Sequence, residues 1–196
     1  MDYNLIDLYK LTDLLPKFEP NNNQFLPDLN KGIEAQLPDS RNLFIRWMEC
    51  QDIPTICYIE REVFPSPWTA ENFLYELENR EYNISIVGLI EKRLITYAVS
   101  YVIYDEIHIS NLAVVPEFRH LTIGETMLKL TLQIGMKKNC QVAHLEVRRT
   151  NEAAISLYQK YGFQTVGVRK NYYQNEQEDA LLMTKKLVVE NIHGVV

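Results

Sequence analysis

Residues 107–130 read IHISNLAVVPEFRHLTIGETMLKL. Ile107, Ser110, Leu112, Val114 and Val115 belong to a β-rich run, and Pro116, which has no N–H to give a sheet ladder, ends it. From Thr122 the apolar residues Ile123, Met127, Leu128 and Leu130 recur at helical spacing, with Gly124 in the first turn. The spacing predicts a strand, a sharp turn and a helix. Backbone N–H groups without intrahelical partners then gather between Arg119 and Glu125, at the positive end of the helix, where an anion binds readily. Any strand–turn–helix makes such a site, so the stretch fixes a local fold and leaves its ligand open.

Upstream, ISIVGLI (84–90) and LITYAVSYVIY (94–104) are two apolar runs around a three-residue turn, which predicts a β-hairpin feeding the opening strand. Before them, NLFIRWME (42–49) alternates as a strand, and Asp52 can cap a helix over 53–63. Phe64-Pro65-Ser66-Pro67-Trp68 breaks that helix, and Thr69 can start another through Leu77. Downstream, VAHLEVRR (142–149) alternates His144, Glu146 and Arg148 against Ala143, Leu145 and Val147. Thr150 or Asn151 caps a short helix over 152–161, and Gly162 stops it. Residues 163–168 and 180–187 read as a last antiparallel pair around a polar loop, 169–179. The order is that of one mixed α/β domain rather than an alternating doubly wound sheet.

Residues 1–41 differ in composition. Leu5, Leu8, Tyr9 and Leu15 fit a short amphipathic helix, and Pro20, Asn21–Asn23, Pro27, Gly32 and Pro38 give the rest a linker character. The chain therefore divides into an extension (1–41), a domain (42–190) and a tail (191–196). With 196 residues, 46% apolar and 23% charged, it is long enough for one domain with a real core. A net charge of −6 argues against nucleic acid or an anionic membrane as direct partner and favours a basic one. Three scattered cysteines, Cys50, Cys57 and Cys140, fit reduced thiols in the cytoplasm and give no metal-site spacing. No apolar run reaches the roughly 18 residues of a membrane span.

The segments FPSPW (64–68), NLAV (111–114), LEVR (145–148), NEAAISLY (151–158), YGF (161–163), RKNYY (169–173) and EDALLM (178–183) are each short. In this order over 42–187 they resemble the GNAT superfamily of acetyl-CoA-dependent N-acetyltransferases. Within it, the likeness is to the bacterial RimI-type enzymes that acetylate the N-terminal alanine of a ribosomal protein. The resemblance implies a mixed, mostly antiparallel central sheet flanked by helices (an α+β arrangement), acetyl-CoA as co-substrate, no metal, and a basic protein N-terminus as acceptor. It implies that Leu112, Ala113 and Val114 offer backbone groups to the pantetheine arm. Arg119, His120, Leu121, Thr122, Ile123, Gly124 and Glu125 would wrap the pyrophosphate, and Asn151 would hold the cofactor. Glu146 would be the general base, Tyr158 the proton donor to the leaving thiolate, and Pro67, Trp68, Tyr172 and Tyr173 would meet the acceptor.

Without the resemblance, several of these residues have plainer readings: Glu146 as a solvent-facing strand residue, Tyr158 as a core tyrosine, Tyr172 and Tyr173 as loop aromatics. One position departs from the family. Its turn runs Arg/Gln-x-x-Gly-x-Gly/Ala, whereas here Thr122 stands for the first glycine and Glu125 adds a negative charge. Two alternatives follow: a scaffold that keeps the peptide groove but binds CoA poorly, and an acetyltransferase for another amine.

Overall fold

The computed structural model describes residues 5–6, 28–78 and 81–187. The strands are β1 (Leu5–Ile6), β2 (Ile33–Gln36), β3 (Asn42–Trp47), β4 (Asn83–Ile90), β5 (Arg93–Ile103), β6 (Glu106–Val114), β7 (Val142–Arg148), β8 (Gln164–Tyr173) and β9 (Glu178–Lys186). The helices are α1 (Ile53–Val63), α2 (Ala70–Glu78), α3 (Ile123–Lys137) and α4 (Glu152–Lys160). One sheet runs β1-β2-β3-β4-β5-β6-β7-β9-β8. Only β1–β2 and β6–β7 pair in parallel.

Strand alternation splits the apolar residues between two layers. β4 sends Ile84 and Ile86 to one side, where they meet Met127, Leu128 and Leu130 of α3 and Tyr158 of α4. It sends Val87 to the other, where Tyr97, Val99 and Ala113 pack on Ile56 and Ile59 of α1 and Phe73 of α2. α3 is thereby fixed on one face of the sheet, and α1, α2 and the Trp68 loop between them on the other.

Three expectations need correction. The linker reading fails from Leu29 onward: Leu29, Ile33, Ala35 and Leu37 are buried in the main core, and β2 pairs antiparallel with β3. Gly32 makes the bend possible, because it sits at φ 76° with the Phe44 ring lying where a Cβ would be. The sheet thus begins before residue 42. Second, Arg169–Tyr173 is strand rather than loop, since β8 continues to Tyr173 and only residues 174–177 turn. Third, Asp52 stands at the N-cap position of α1, as expected, but its side chain makes no capping hydrogen bond. It ends a 3-10 turn, and its carboxylate takes two hydrogen bonds from Arg46 (2.7 and 2.8 Å) and one from Glu49 N–H. Of the expected N-terminal helix, Leu5–Ile6 is strand; its other residues, and the 191–196 tail, lie outside the described residues.

Candidate active site

The site begins where β6 leaves β7. The two strands pair only from Glu106–Val142 to Ile109–Leu145, and a bulge at Ser110 shifts the β5–β6 register. Beyond it a wedge opens between them. Val115 N–H bonds Ile95 C=O (2.9 Å), and Thr96 Oγ1 donates to Ala113 C=O (2.7 Å), so Ala113 and Val115 face β5. By alternation, Leu112 and Val114 turn their N–H and C=O into the wedge. Of the three expected strand residues, Ala113 is therefore the one turned away.

The anion turn closes one end of the wedge. A Cβ on Gly124 would lie 3.6 and 3.7 Å from the Val114 and Leu112 side chains. The first backbone bond of α3 runs from Thr126 N–H to Thr122 C=O (2.9 Å), so the N–H groups of Ile123, Gly124 and Glu125 have no intrahelical acceptor. Thr122 takes φ 61°, ψ 6°, and His120 takes φ 62°, both left-handed. Threonine here holds the conformation that a glycine would reach without strain. Arg119 and His120 are exposed; Arg119 Nε donates to Val114 C=O at 3.4 Å. Leu121 and Ile123 pack into the core, leaving their main chain to the turn.

Glu125 does not confront an anion with a bare charge. Lys160 Nζ (2.7 Å), Lys129 Nζ (2.9 Å) and the Tyr161 hydroxyl all reach it. Burial works to raise its carboxyl, but these hydrogen bonds outweigh it and hold the group down at about 2.

At the other end of the wedge a cavity of about 120 Å³ gathers Trp68, Leu112, Glu146, Asn151, Tyr158 and Tyr173, expected residues from distant parts of the sequence. Pro67 is exposed outside it, and Tyr172 stands 42% exposed beneath Arg169. Neither lines the cavity. Glu146 on β7 pairs with Arg169 Nη1 at 3.0 Å. Tyr158 is buried edge-on against Phe163, and that burial pushes its hydroxyl up to about 12. Asn151 uses its Oδ1 to cap α4 through Ala154 N–H (3.2 Å).

The lining residues outside the expected set include Glu60, Phe64, Ser66 and Arg148. Arg148 stacks on the Tyr173 ring at 3.7 Å and reaches Glu178 (3.0 Å) and Glu176 (3.4 Å). Ser66 Oγ donates to Glu176 Oε1 (2.8 Å), which ties the loop after α1 to the β8–β9 turn. Glu60 is wholly buried, and burial drives its carboxyl up to about 7 despite hydrogen bonds from Trp68 and Asn111 that lower it. A signal for it existed: Ile53, Ile56, Cys57 and Glu60 follow helical spacing, which puts a carboxylate on the apolar face.

The arrangement offers a carboxylate proton acceptor, a neutral phenol, free strand-edge amides and an anion turn along one wedge. Among the described residues, no group of three or more His, Cys, Asp or Glu is placed to hold a metal ion. No described helix is long and apolar enough to cross a membrane.

Residues 47–163 match the model of the acetyltransferase (GNAT) family. Over 139 residues the chain is 37% identical to a putative ribosomal protein bS18-alanine N-acetyltransferase of Bacillus subtilis, covering 71% of this chain and 92% of that protein. It is 30% identical over 138 residues to the bS18-alanine N-acetyltransferase of Escherichia coli, covering 69% and 92%. The crystal structure of the Escherichia coli ribosomal-protein-S18-alanine N-acetyltransferase superposes with a TM-score of 0.69 at 28% identity, covering 78% of this chain and 99% of that one.

Proposed function

The chain belongs to the acetyltransferase (GNAT) family, and from that premise we propose that it acetylates the α-amine of a ribosomal protein that begins with alanine. It is an acetyl-CoA-dependent N-acetyltransferase. The observation that carries the acceptor reading is the convergence of Trp68, Glu146, Tyr158 and Tyr173 on one cavity beside the β6–β7 wedge. The acidic chain suits a basic acceptor, and a ribosomal acceptor puts the reaction in the cytoplasm.

Each residue's part follows from its chemistry. An α-ammonium, with an ordinary pKa near 8, must lose a proton before its nitrogen can attack. Glu146 accepts that proton, directly or through water. The freed amine forms the new C–N bond at the thioester carbonyl carbon as the C–S bond breaks, and the second proton that the nitrogen sheds on becoming an amide replaces the one Tyr158 gives to the sulfur. Leu112 and Val114 present the edge amides on which the pantetheine arm lies, and an N–H there stabilises the carbonyl oxygen as it gains charge. Tyr158 stays neutral because its hydroxyl is raised, so its proton remains available to the leaving sulfur. The turn from Arg119 to Glu125 holds the pyrophosphate through main-chain N–H groups, and Asn151 keeps its amide N–H₂ for the cofactor.

Mass spectrometry tests the reading. Protein, acetyl-CoA and an alanine-starting peptide of the bS18 type should yield a peptide heavier by one acetyl group at its N-terminus. A panel varying the first residue, with one member blocked at the α-amine and carrying a free lysine, tests the acceptor. Acetylation of the blocked peptide alone would replace the α-amine by a side-chain amine.

A further inference from the structure

Glu60 is buried in α1 and yet lines the acceptor cavity. Its Oε2 accepts Trp68 N–H at 2.6 Å, its Oε1 accepts Asn111 Nδ2 at 2.9 Å, and the Tyr97 hydroxyl also donates to Oε1. These donors come from the loop after α1, from β6 and from β5. All are neutral.

The other carboxylates around the cavity have cations: Glu146 has Arg169, and Glu176 and Glu178 share Arg148. Among the described residues Glu60 has none, and the causes acting on its carboxyl include no positive charge. A buried carboxylate without a cation is costly, and neutral hydrogen bonds offset only part of the cost. Its raised pKa records the same imbalance. Such a group either holds a proton or takes a cation, and at the wall of a cavity the cation can arrive with a bound molecule. The amine acceptor brings one.

We propose that Glu60 is a substrate-positioning residue that serves as counter-ion to the acceptor's α-ammonium, holding it at the cavity until Glu146 removes the proton. The inference rests on the acetyltransferase reading with an amine acceptor. It divides the labour between two carboxylates: one on α1 binds the charge, and one on β7 takes the proton. Through Trp68 N–H and Asn111, Glu60 also ties the acceptor loop to the strand that borders the wedge, so the bound ammonium is aligned with β6.

The test uses two peptides of one sequence, the first beginning with alanine and the second with lactic acid, whose hydroxyl replaces the ammonium without charge. Binding to the full chain saturated with CoA is measured by calorimetry, and CoA in place of acetyl-CoA prevents turnover. Glu60→Gln keeps the shape and an amide oxygen for Trp68 N–H. It should weaken the alanine peptide about tenfold, as loss of a weakly screened charge pair does, and leave the lactyl peptide and CoA within twofold. Equal weakening of both peptides, or no change in either, overturns the proposal. A second variant covers a Glu60→Gln chain that fails to fold: Glu146→Gln should still prefer the alanine peptide, and loss of that preference would make Glu146 the counter-ion instead. Wild-type acetylation of the alanine peptide is measured in the same series. Its absence overturns the enzyme reading and the inference with it, whereas normal acetylation with equal losses overturns the inference alone.

Discussion

Arg169 Nη1 lies 3.0 Å from Glu146 Oε1, so the carboxylate proposed as base stands in the cavity wall as half of an ion pair that reaches over β9. Glu146→Gln removes the proton acceptor and keeps the shape. It should lower kcat by roughly 10²–10⁴ near neutral pH, the usual worth of a general base, and leave acetyl-CoA binding unchanged. Unaltered turnover would remove Glu146 from the mechanism. Both partners are partly exposed, so Arg169→Ala should cost less than about 1 kcal/mol of stability in urea unfolding.

Two adjacent tyrosines should behave differently. Tyr173 lines the cavity beneath Arg148, whereas Tyr172 stands outside it beneath Arg169. In steady-state kinetics Tyr173→Ala should raise the peptide KM severalfold, Tyr172→Ala should raise it less, and neither should move the acetyl-CoA KM. Equal effects on both substrates would mean that the two rings only support β8.

The strand–turn–helix of 107–130 was legible because its period changes from two to about four residues across Pro116. β2 was hidden by its surroundings. Ile33, Ala35 and Leu37 do alternate, but the run is four residues long and lies between Gly32 and Pro38, so the breakers dominated. The far half of β8 was illegible for another reason. It is an edge strand exposed along most of its length, so RKNYY carries no apolar face for alternation to reveal. Glu60 shows the deepest limit. Its helical position was readable, but its significance depends on Tyr97 and Asn111, which lie 37 and 51 residues away and reach it only in the fold.

The buried segment 29–37 belongs to the core rather than to a linker. Deleting residues 1–40 removes Leu29, Ile33 and Leu37 from the core, each worth about 1.5–3 kcal/mol when fully buried, and bares β3 with its wholly buried Leu43 and Ile45. The loss rivals the whole stability of a typical domain. The truncated chain should be insoluble or unfolded by circular dichroism. A soluble chain with cooperative unfolding would show that β2 is dispensable.

Glu125 gives a pH signature. Its carboxyl is held at about 2 in the fold, against an ordinary value of 4.5. A depressed acid adds stability that is fully present above the unfolded value and is lost as pH falls through the folded one. Glu125→Gln leaves Lys129, only 7% exposed, without its partner and should cost on the order of 3 kcal/mol at pH 7. In denaturant titrations the gap to wild type should begin to close below pH 4.5 and be nearly gone at pH 2. A gap independent of pH would mean that packing, not charge, is what Glu125 supplies.

Thr122 stands where the family's turn has glycine, and its backbone is at φ 61°. A β-branched residue there costs about 1–2 kcal/mol relative to its relaxed conformations. Thr122→Gly should relieve it, less the roughly 0.5–1 kcal/mol by which glycine's freedom favours the unfolded chain. The expected result in urea unfolding is a net stabilisation of up to about 1 kcal/mol. Thr122→Ala keeps the Cβ and should gain little or nothing. Affinity should move less. The side chain is exposed and its hydroxyl donates to the Leu121 carbonyl at 2.6 Å, so it is turned to the turn's own main chain. The Kd for acetyl-CoA, measured by calorimetry, should stay within about threefold, a change well under the 1.4 kcal/mol of a tenfold shift. Destabilisation by glycine would mean that the left-handed geometry carries no strain here. A tenfold or greater loss of affinity would make the Thr122 hydroxyl itself a phosphate ligand, and the turn would then be built around threonine rather than merely tolerant of it.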